Sequence, residues 1–518
     1  MKRKLLTALL CGALMLTSLA GCGQGAGNQS GTSAGGESAV KDELVFVNYR
    51  DIRDLNPHLY AGEMYAQSIL YDTLVSNTSE GYVGCLAEDW TISEDGRTYT
   101  FNIRDGVTFS DGTPCDANAI LANFNAILEN RERHTWLEMM NLLVGVSAPD
   151  DDTFVIEMSE PYYPMLTELA CIRPFAMISP NCMIDGSTKD GVNGYIGTGP
   201  YVLTDFVTDE YAVFERNENY WGEKPAIRKI TVKVIPDNQT RIMALENGEI
   251  DLIFGKNMLD ADAISQYVDS DKFTVGLSDP TSTRHIVLNT THDILGDKSV
   301  RQALQHATNR QAISEGIFYG LEPAADTLYS TTVPYCDVDL EPYAYDADEA
   351  ARLLDEAGWT MGSDGVRAKD GQKLALDLLY NSDSVTEKTI SEYLQSEYLK
   401  LGISLNIHGE EEQSYRDNMK AGNFDMVFNI CWGMPYDPQS SLAAMRAPVY
   451  GDYAAQQGLE DKAEIDQAIT DILTSTDETK RQELYTFVLT RLHEDAVYIP
   501  LTFETNKALY TSDLKGVH

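Results

Sequence analysis

Leu374-Ala-Leu-Asp-Leu-Leu-Tyr380, Ile403-Ser-Leu-Asn-Ile-His408 and Met426-Val-Phe-Asn-Ile430 are three short apolar runs divided by two longer stretches. Each run has the length and composition of a strand. The stretches between them, Glu387–Leu401 and Gln413–Ala421, have helical spacing. Strands that alternate with helices in this way form βαβ units, so the segment predicts an α/β lobe.

The same reading extends toward the N-terminus. Thr98–Arg104 alternates at a strand period after the Asp95-Gly96 turn, and Thr153–Met158 is a second strand. Between them, Ala117–Glu129 places Ile120, Leu121, Phe124, Ile127 and Leu128 at helical spacing. Ile230–Ile235 alternates until Pro236-Asp237 ends it, and a helix from about Gln239 to Asn247 stops at Gly248. Val300–Phe318 and Ala347–Ala357 are further helices, the second closed by Gly358. No fixed-period repeat is present.

With 518 residues the chain is too long for one core, and two or three domains are expected. Its formal net charge is −41, so nucleic acid and anionic lipid headgroups repel it, and no nucleic-acid partner is expected.

The N-terminus carries an address. Lys2, Arg3 and Lys4 precede an apolar run from Leu5 to Leu16, which is too short to span a bilayer and reads as a removable signal. Leu19-Ala-Gly-Cys22 at its end resembles a bacterial lipobox. Residues 1–21 are therefore expected to be a signal peptide and Cys22 the lipidated start of the mature protein. Residues 22–40 form the linker. Gly23–Ser38, rich in Gly, Ser, Ala and Asn, lacks the apolar surface to fold and should reach roughly 20–25 Å as a flexible leash. The expected location is extracytoplasmic, at the outer face of the cell membrane or in the periplasm.

Cys85, Cys115, Cys171, Cys182, Cys336 and Cys431 remain in the body. No C-x-x-C occurs, which argues against a thiolate zinc site. Cys171 and Cys182 either pair across a short loop or stay free. No G-x-S-x-G, H-E-x-x-H or P-loop pattern occurs either, so no catalytic residue or cofactor is assigned; a surface hydrolase is the remote enzyme reading. The histidines are scattered, with no two at i, i+4, and no metal ligand is assigned among them.

Several segments carry a family resemblance: Ser93-Glu-Asp-Gly-Arg-Thr-Tyr-Thr-Phe101, Phe109-Ser-Asp-Gly-Thr-Pro114, Gly197-Thr-Gly-Pro-Tyr201, Asn217-Glu-Asn-Tyr-Trp-Gly222 and Val300-Arg-Gln-Ala-Leu304. They resemble the solute-binding proteins of peptide/nickel ABC importers (family 5), in the expected order from about Leu44 to Tyr510. Leu55-Asn-Pro-His-Leu-Tyr60, Arg131-Glu-Arg-His-Thr-Trp136, Asn219–Pro225, Trp432-Gly-Met-Pro-Tyr-Asp-Pro438 and Ala454–Leu459 resemble the nickel-binding branch in particular.

The resemblance implies a two-lobed, periplasmic-binding-protein-like clamshell of the large class, with an inserted extra subdomain. Lobe 1 would comprise 41–280 plus 501–518, with 80–190 inserted, and lobe 2 would comprise 281–500. It also implies a ligand site built from Tyr60, Met64, Arg133, Trp136, Arg173, Trp432, Tyr436 and Tyr450.

The chemistry of those residues is coherent. Arg133 and Trp136, three apart, are expected on one face of a helix over Asn118–Trp136. Arg173 precedes Pro174 and is expected to be extended. Two converging guanidiniums clamp carboxylates, and the aromatic residues and Met64 wall a compact ligand. Such a set suits a metal wrapped in chelators better than a bare dication. Nickel-binding relatives can carry a histidine where this chain has Tyr450, and a phenol is a poor Ni²⁺ ligand at neutral pH. Nickel is therefore expected as a chelate with histidine or a metallophore, delivered to the permease and ATPase subunits of an ABC importer. A di- or oligopeptide ligand is the alternative.

Overall fold

The computed structural model describes residues 42–78, 81–255, 258–431 and 438–517; the signal, Cys22 and the linker lie outside these residues. Its frame is a ten-stranded sheet. Across the sheet the strands run in the order Tyr201–Val207, Tyr211–Arg216, Lys229–Val234, Glu43–Asn48, Leu252–Phe254, Tyr498–Thr511, Phe273–Leu288, Met426–Ile430, Ala375–Asn381 and Ser404–Glu410.

The three runs that open the sequence form one end of this sheet. Ala375–Asn381 lies parallel to both Ser404–Glu410 and Met426–Ile430. Helices Val385–Lys400 and Glu412–Ala421 make the crossovers, and Ser384 caps the first by accepting the Glu387 amide. Leu376, Leu378, Ile390, Leu394, Ile403 and Phe428 bury together between strands and helices.

At the other end, Glu43–Asn48 is parallel to Lys229–Val234 on one side and Leu252–Phe254 on the other. Helix Asn238–Glu246, capped by Asp237, carries the chain across from one to the other. The carboxyl end of Glu43–Asn48 is therefore a switch point, where open α/β sheets hold ligands.

Phe273–Leu288 and Tyr498–Thr511 are long antiparallel strands shared by both ends. Residues 508–510 pair with Leu252–Phe254, whereas 284–288 pair with Met426–Ile430. Between those pairings the ribbon has register shifts at Leu277/Pro280, Pro280/Ser282 and Arg284/His285. The bent stretch buries charge. Arg284 pairs with Glu504 and lies 3.8 Å from Glu322, which receives Lys507 at 2.9 Å and the Thr502 hydroxyl at 3.0 Å. Matching every cation with a carboxylate keeps this burial tolerable.

A separate four-stranded sheet lies within 87–158, formed by Ala87–Ile92, Thr98–Ile103, Thr153–Met158 and Leu143–Ser147. Helix Ala117–Glu129 covers it, starting where Asp116 accepts the Ala119 amide and packing Phe124 on Phe154 at 4.8 Å. The architecture is thus a mixed α/β clamshell of two lobes with an added subdomain.

Two expectations are corrected and one open alternative is decided. The helix that carries Phe124 ends at Glu129, and Arg131–His134 forms a separate 3₁₀ turn, so Arg133 and Trp136 do not share a helical face. Val300–Phe318 is two helices, Lys298–Ala307 and Arg310–Ile317, because the Asn309 side chain accepts the Ala312 amide and starts a new one. Of the two alternatives for Cys171 and Cys182, the structure has the one without a disulfide, as for the other described cysteines. The Cys171 thiol donates to the Thr167 carbonyl, while Cys182 packs in the core with Tyr71 and Met183.

Candidate functional site

The loop after Glu43–Asn48 is built to present Tyr60. The Asn56 backbone N–H donates to the Asp54 carboxylate, and its side chain accepts the His58 amide and donates to the Thr188 carbonyl. His58 is fully buried between Thr188 and the Ala176 carbonyl, and burial pulls its pKa down to about 3. It is a neutral bracket for the turn.

Tyr60 then joins two residues of the inserted subdomain. Its hydroxyl accepts the Trp136 indole N–H at 2.7 Å and shares a hydrogen bond with His134 Nδ1 at 2.6 Å. Burial raises the phenol to about 12 and lowers His134 to about 4, so both stay neutral at physiological pH. Trp136 is half exposed, a large apolar face held by one polar bond.

Arg173 has the extended backbone expected before Pro174, with φ −111° and ψ 122°. Its Nε donates to Gln67 at 2.6 Å, and its Nη2 donates to the Gly62 carbonyl. Desolvation lowers its pKa, partly offset by Glu63. Arg133 is exposed and makes no side-chain hydrogen bond or ion pair among the described residues; its charge acts on Tyr60 and His134. Met64 opens helix Met64–Leu70 and lines a cavity of about 390 Å³ with Tyr71, Asp72, Cys85 and Cys171.

Tyr60, Arg133, Trp136 and Arg173 therefore form one wall, with Met64 close by. Tyr450 belongs to another neighbourhood. It precedes the short helix Gly451–Ala455, and its charged neighbours are Arg416 and Asp452. Asp452 is buried, accepts Asn429 Nδ2 at 2.7 Å and is pushed up to about 6 by desolvation. Trp432 and Tyr436 lie outside the described residues. Gln67, Gly62 and His134, which hold the wall, escaped sequence reading. His134 sits inside the Arg131–Trp136 motif with no sign of its bond to Tyr60, Gln67 sits in no motif, and a backbone carbonyl leaves no residue signature. Among the described residues, no three His, Cys, Asp or Glu side chains gather to hold a metal ion.

A two-lobed body with an aromatic and cationic wall defines a ligand receptor of the clamshell class. Comparison with known proteins gives its family. The model of the "Bacterial extracellular solute-binding proteins, family 5 Middle" matches residues 81–452, and the chain belongs to that family. It is 42% identical over 471 residues to the nickel-binding periplasmic protein of Escherichia coli (strain K12), covering 90% of each chain. To the dipeptide-binding protein of the same organism it is 26% identical over 506 residues, covering 91% of each. The solved structure of NikA from Brucella suis in complex with Fe(III)-EDTA matches with TM-score 0.88 and 44% identity, over 92% of this chain and 96% of that one. NikZ from Campylobacter jejuni in complex with Ni(L-His) shares the fold at TM-score 0.73 and 22% identity, over 92% of this chain and 95% of that one.

Proposed function

We propose that this chain is the lipid-anchored receptor of an ABC importer that captures nickel as a chelate and delivers it to the permease and its ATPase. The observation that carries this reading is the wall itself: Arg133 has no acidic partner among the described residues, and Arg173 has committed only Nε and Nη2, beside the Tyr60–Trp136 pair. One uncommitted guanidinium and one with Nη1 still open, next to an aromatic surface, suit outward carboxylates on a compact complex and repel a bare dication. The similarity to nickel-binding relatives supports the metal, and the complexes with Fe(III)-EDTA and Ni(L-His) support a chelated form.

The proposed lobes are 41–280 plus 501–518 and 281–500, with 80–190 inserted. The bent ribbon between Leu277 and Arg284 would be the hinge, and ligand would favour closure by its greater affinity for the closed state. Cys22 is the proposed lipid site and 1–21 the signal, with a binding rather than catalytic role outside the cytoplasm.

Calorimetry tests the ligand. Ni²⁺ with excess L-histidine should bind, and Ni²⁺ alone should not; tight binding of the bare ion refutes chelate recognition. Dipeptides belong in the same panel, because the 26%-identical dipeptide-binding relative and a carboxylate-clamping arginine both fit a peptide. A ligand at a hundred times its Kd should add about 2.7 kcal/mol of stability, readable as a thermal shift.

A further inference from the structure

A second cavity, of about 240 Å³, opens at the carboxyl ends of the parallel strands Glu43–Asn48 and Leu252–Phe254. It lies on the other side of the first turn of helix Met64–Leu70: Met64 faces the cavity already described, whereas Glu63 and Tyr65 face this one. Its walls are aromatic. Phe46 sits 5.4 Å edge-on to Tyr65 and 5.5 Å from Phe254, with Met258 below and Tyr49 at the rim. Phe254 is 39% exposed and Tyr49 41% exposed, much for rings of this size beside a core.

The polar groups narrow what fits. The Glu63 carboxylate is taken by Arg50 at 2.6 Å, Arg53 at 3.6 Å and Asn48 at 3.1 Å, so it leaves no charge demanding a cation. The Tyr65 hydroxyl makes no hydrogen bond of ordinary geometry; its polar neighbour Asn48 has committed both amide protons, to Glu63 and to the Arg50 carbonyl, and has only Oδ1 to offer the phenol. A ligand acceptor of better geometry would compete with Asn48 Oδ1 for the phenol proton. The cavity also adjoins the proposed carboxylate clamp, since Arg173 donates to Gly62, the residue before Glu63.

We infer that this cavity is a subsite for a neutral aromatic or heteroaromatic ring, carried by the ligand outside its metal-binding atoms. The inference rests on the chelate reading above and adds a substrate class to it: chelators or peptides with a ring side chain are preferred to those without. A ring nitrogen or oxygen facing Tyr65 would satisfy its hydroxyl, and the ring faces would pack on Phe46 and Phe254.

Calorimetry on the full chain with Ni²⁺ in excess L-alanine, L-phenylalanine or 3-pyridyl-L-alanine reads this directly, because the three chelate alike and differ only in the ring. Burial of a ring should tighten the phenylalanine complex about tenfold over the alanine complex. Phe254→Ala should erase that preference while leaving the alanine complex unchanged. Tyr65→Phe, which preserves shape, should remove only the extra gain of the pyridyl complex. Equal affinities for alanine and phenylalanine complexes, or a Phe254→Ala loss shared by both, would overturn the subsite. If no nickel complex binds, the chelate reading fails by itself, and ligand-observed NMR with metal-free 3-methylpyridine decides the subsite. A signal lost in Phe254→Ala supports it, and no signal in the parent chain sinks it.

Discussion

Arg284 and Arg133 are the same side chain in opposite circumstances. Arg284 lies mostly buried in the bent ribbon, its side chain 12% exposed, with Glu504 against it, Glu322 at 3.8 Å and Lys507 completing the set. Arg133 stands exposed beside Tyr60 and Trp136, with no acidic partner among the described residues in a chain of 80 acidic side chains. Where charges are matched internally they serve the fold. Where a cation is left over beside an aromatic wall, it is open to a partner from outside.

That contrast would collapse if both residues mattered in the same assay. Arg284→Met should be the most damaging change, because it leaves Glu504 and Glu322 facing a single cation, Lys507. A loss of about 3–5 kcal/mol is expected in denaturant unfolding. Arg133→Gln should leave the unfolding midpoint in place and weaken binding of a nickel–histidine complex about tenfold or more, measured by calorimetry. A stability loss at Arg133, or an unchanged affinity, would break the distinction.

Asp452 sharpens it on the side of Tyr450. Its folded pKa is raised to about 6, above the ordinary value of about 3.9 in the unfolded chain. Between those values the folded state holds more protons than the unfolded one, so stability rises as pH falls. From pH 7 to pH 5 the gain attributable to this group should be about 1 kcal/mol, and Asp452→Asn should flatten that part of the profile. The smallest effect belongs to Tyr60→Phe. It keeps the ring but strands the Trp136 and His134 nitrogens, and chelate affinity should fall about threefold while the indole emission shifts.

Local patterns carried much of the fold. Ala117–Glu129, Thr153–Met158 and Met426–Ile430 have the bounds their periodicity predicts, because apolar spacing and caps are local properties. The break before Arg310 was hidden, since Asn309 interrupts a helical pattern that remains apolar on both sides. The ribbon's charge set was also hidden. Arg284, Glu322, Glu504 and Lys507 are far apart in sequence, and nothing in an acidic chain distinguishes those two glutamates. At the site, Tyr60 and Arg173 stood out by their motifs and by Pro174. Gln67 and the Gly62 carbonyl hold Arg173 through contacts that only folding creates.

The place of Tyr498–Thr511 in the middle of the ten-stranded order has a temporal consequence. Leu252–Phe254 and Phe273–Leu288 both pair with this strand, which is made more than two hundred residues after either of them. Until it emerges, each of those strands keeps an open edge, the kind of surface on which partly made chains aggregate. Neither half of the sheet can be completed by the segment made first, so a nascent chain that has not yet reached residues 498–511 is a body without its central seam.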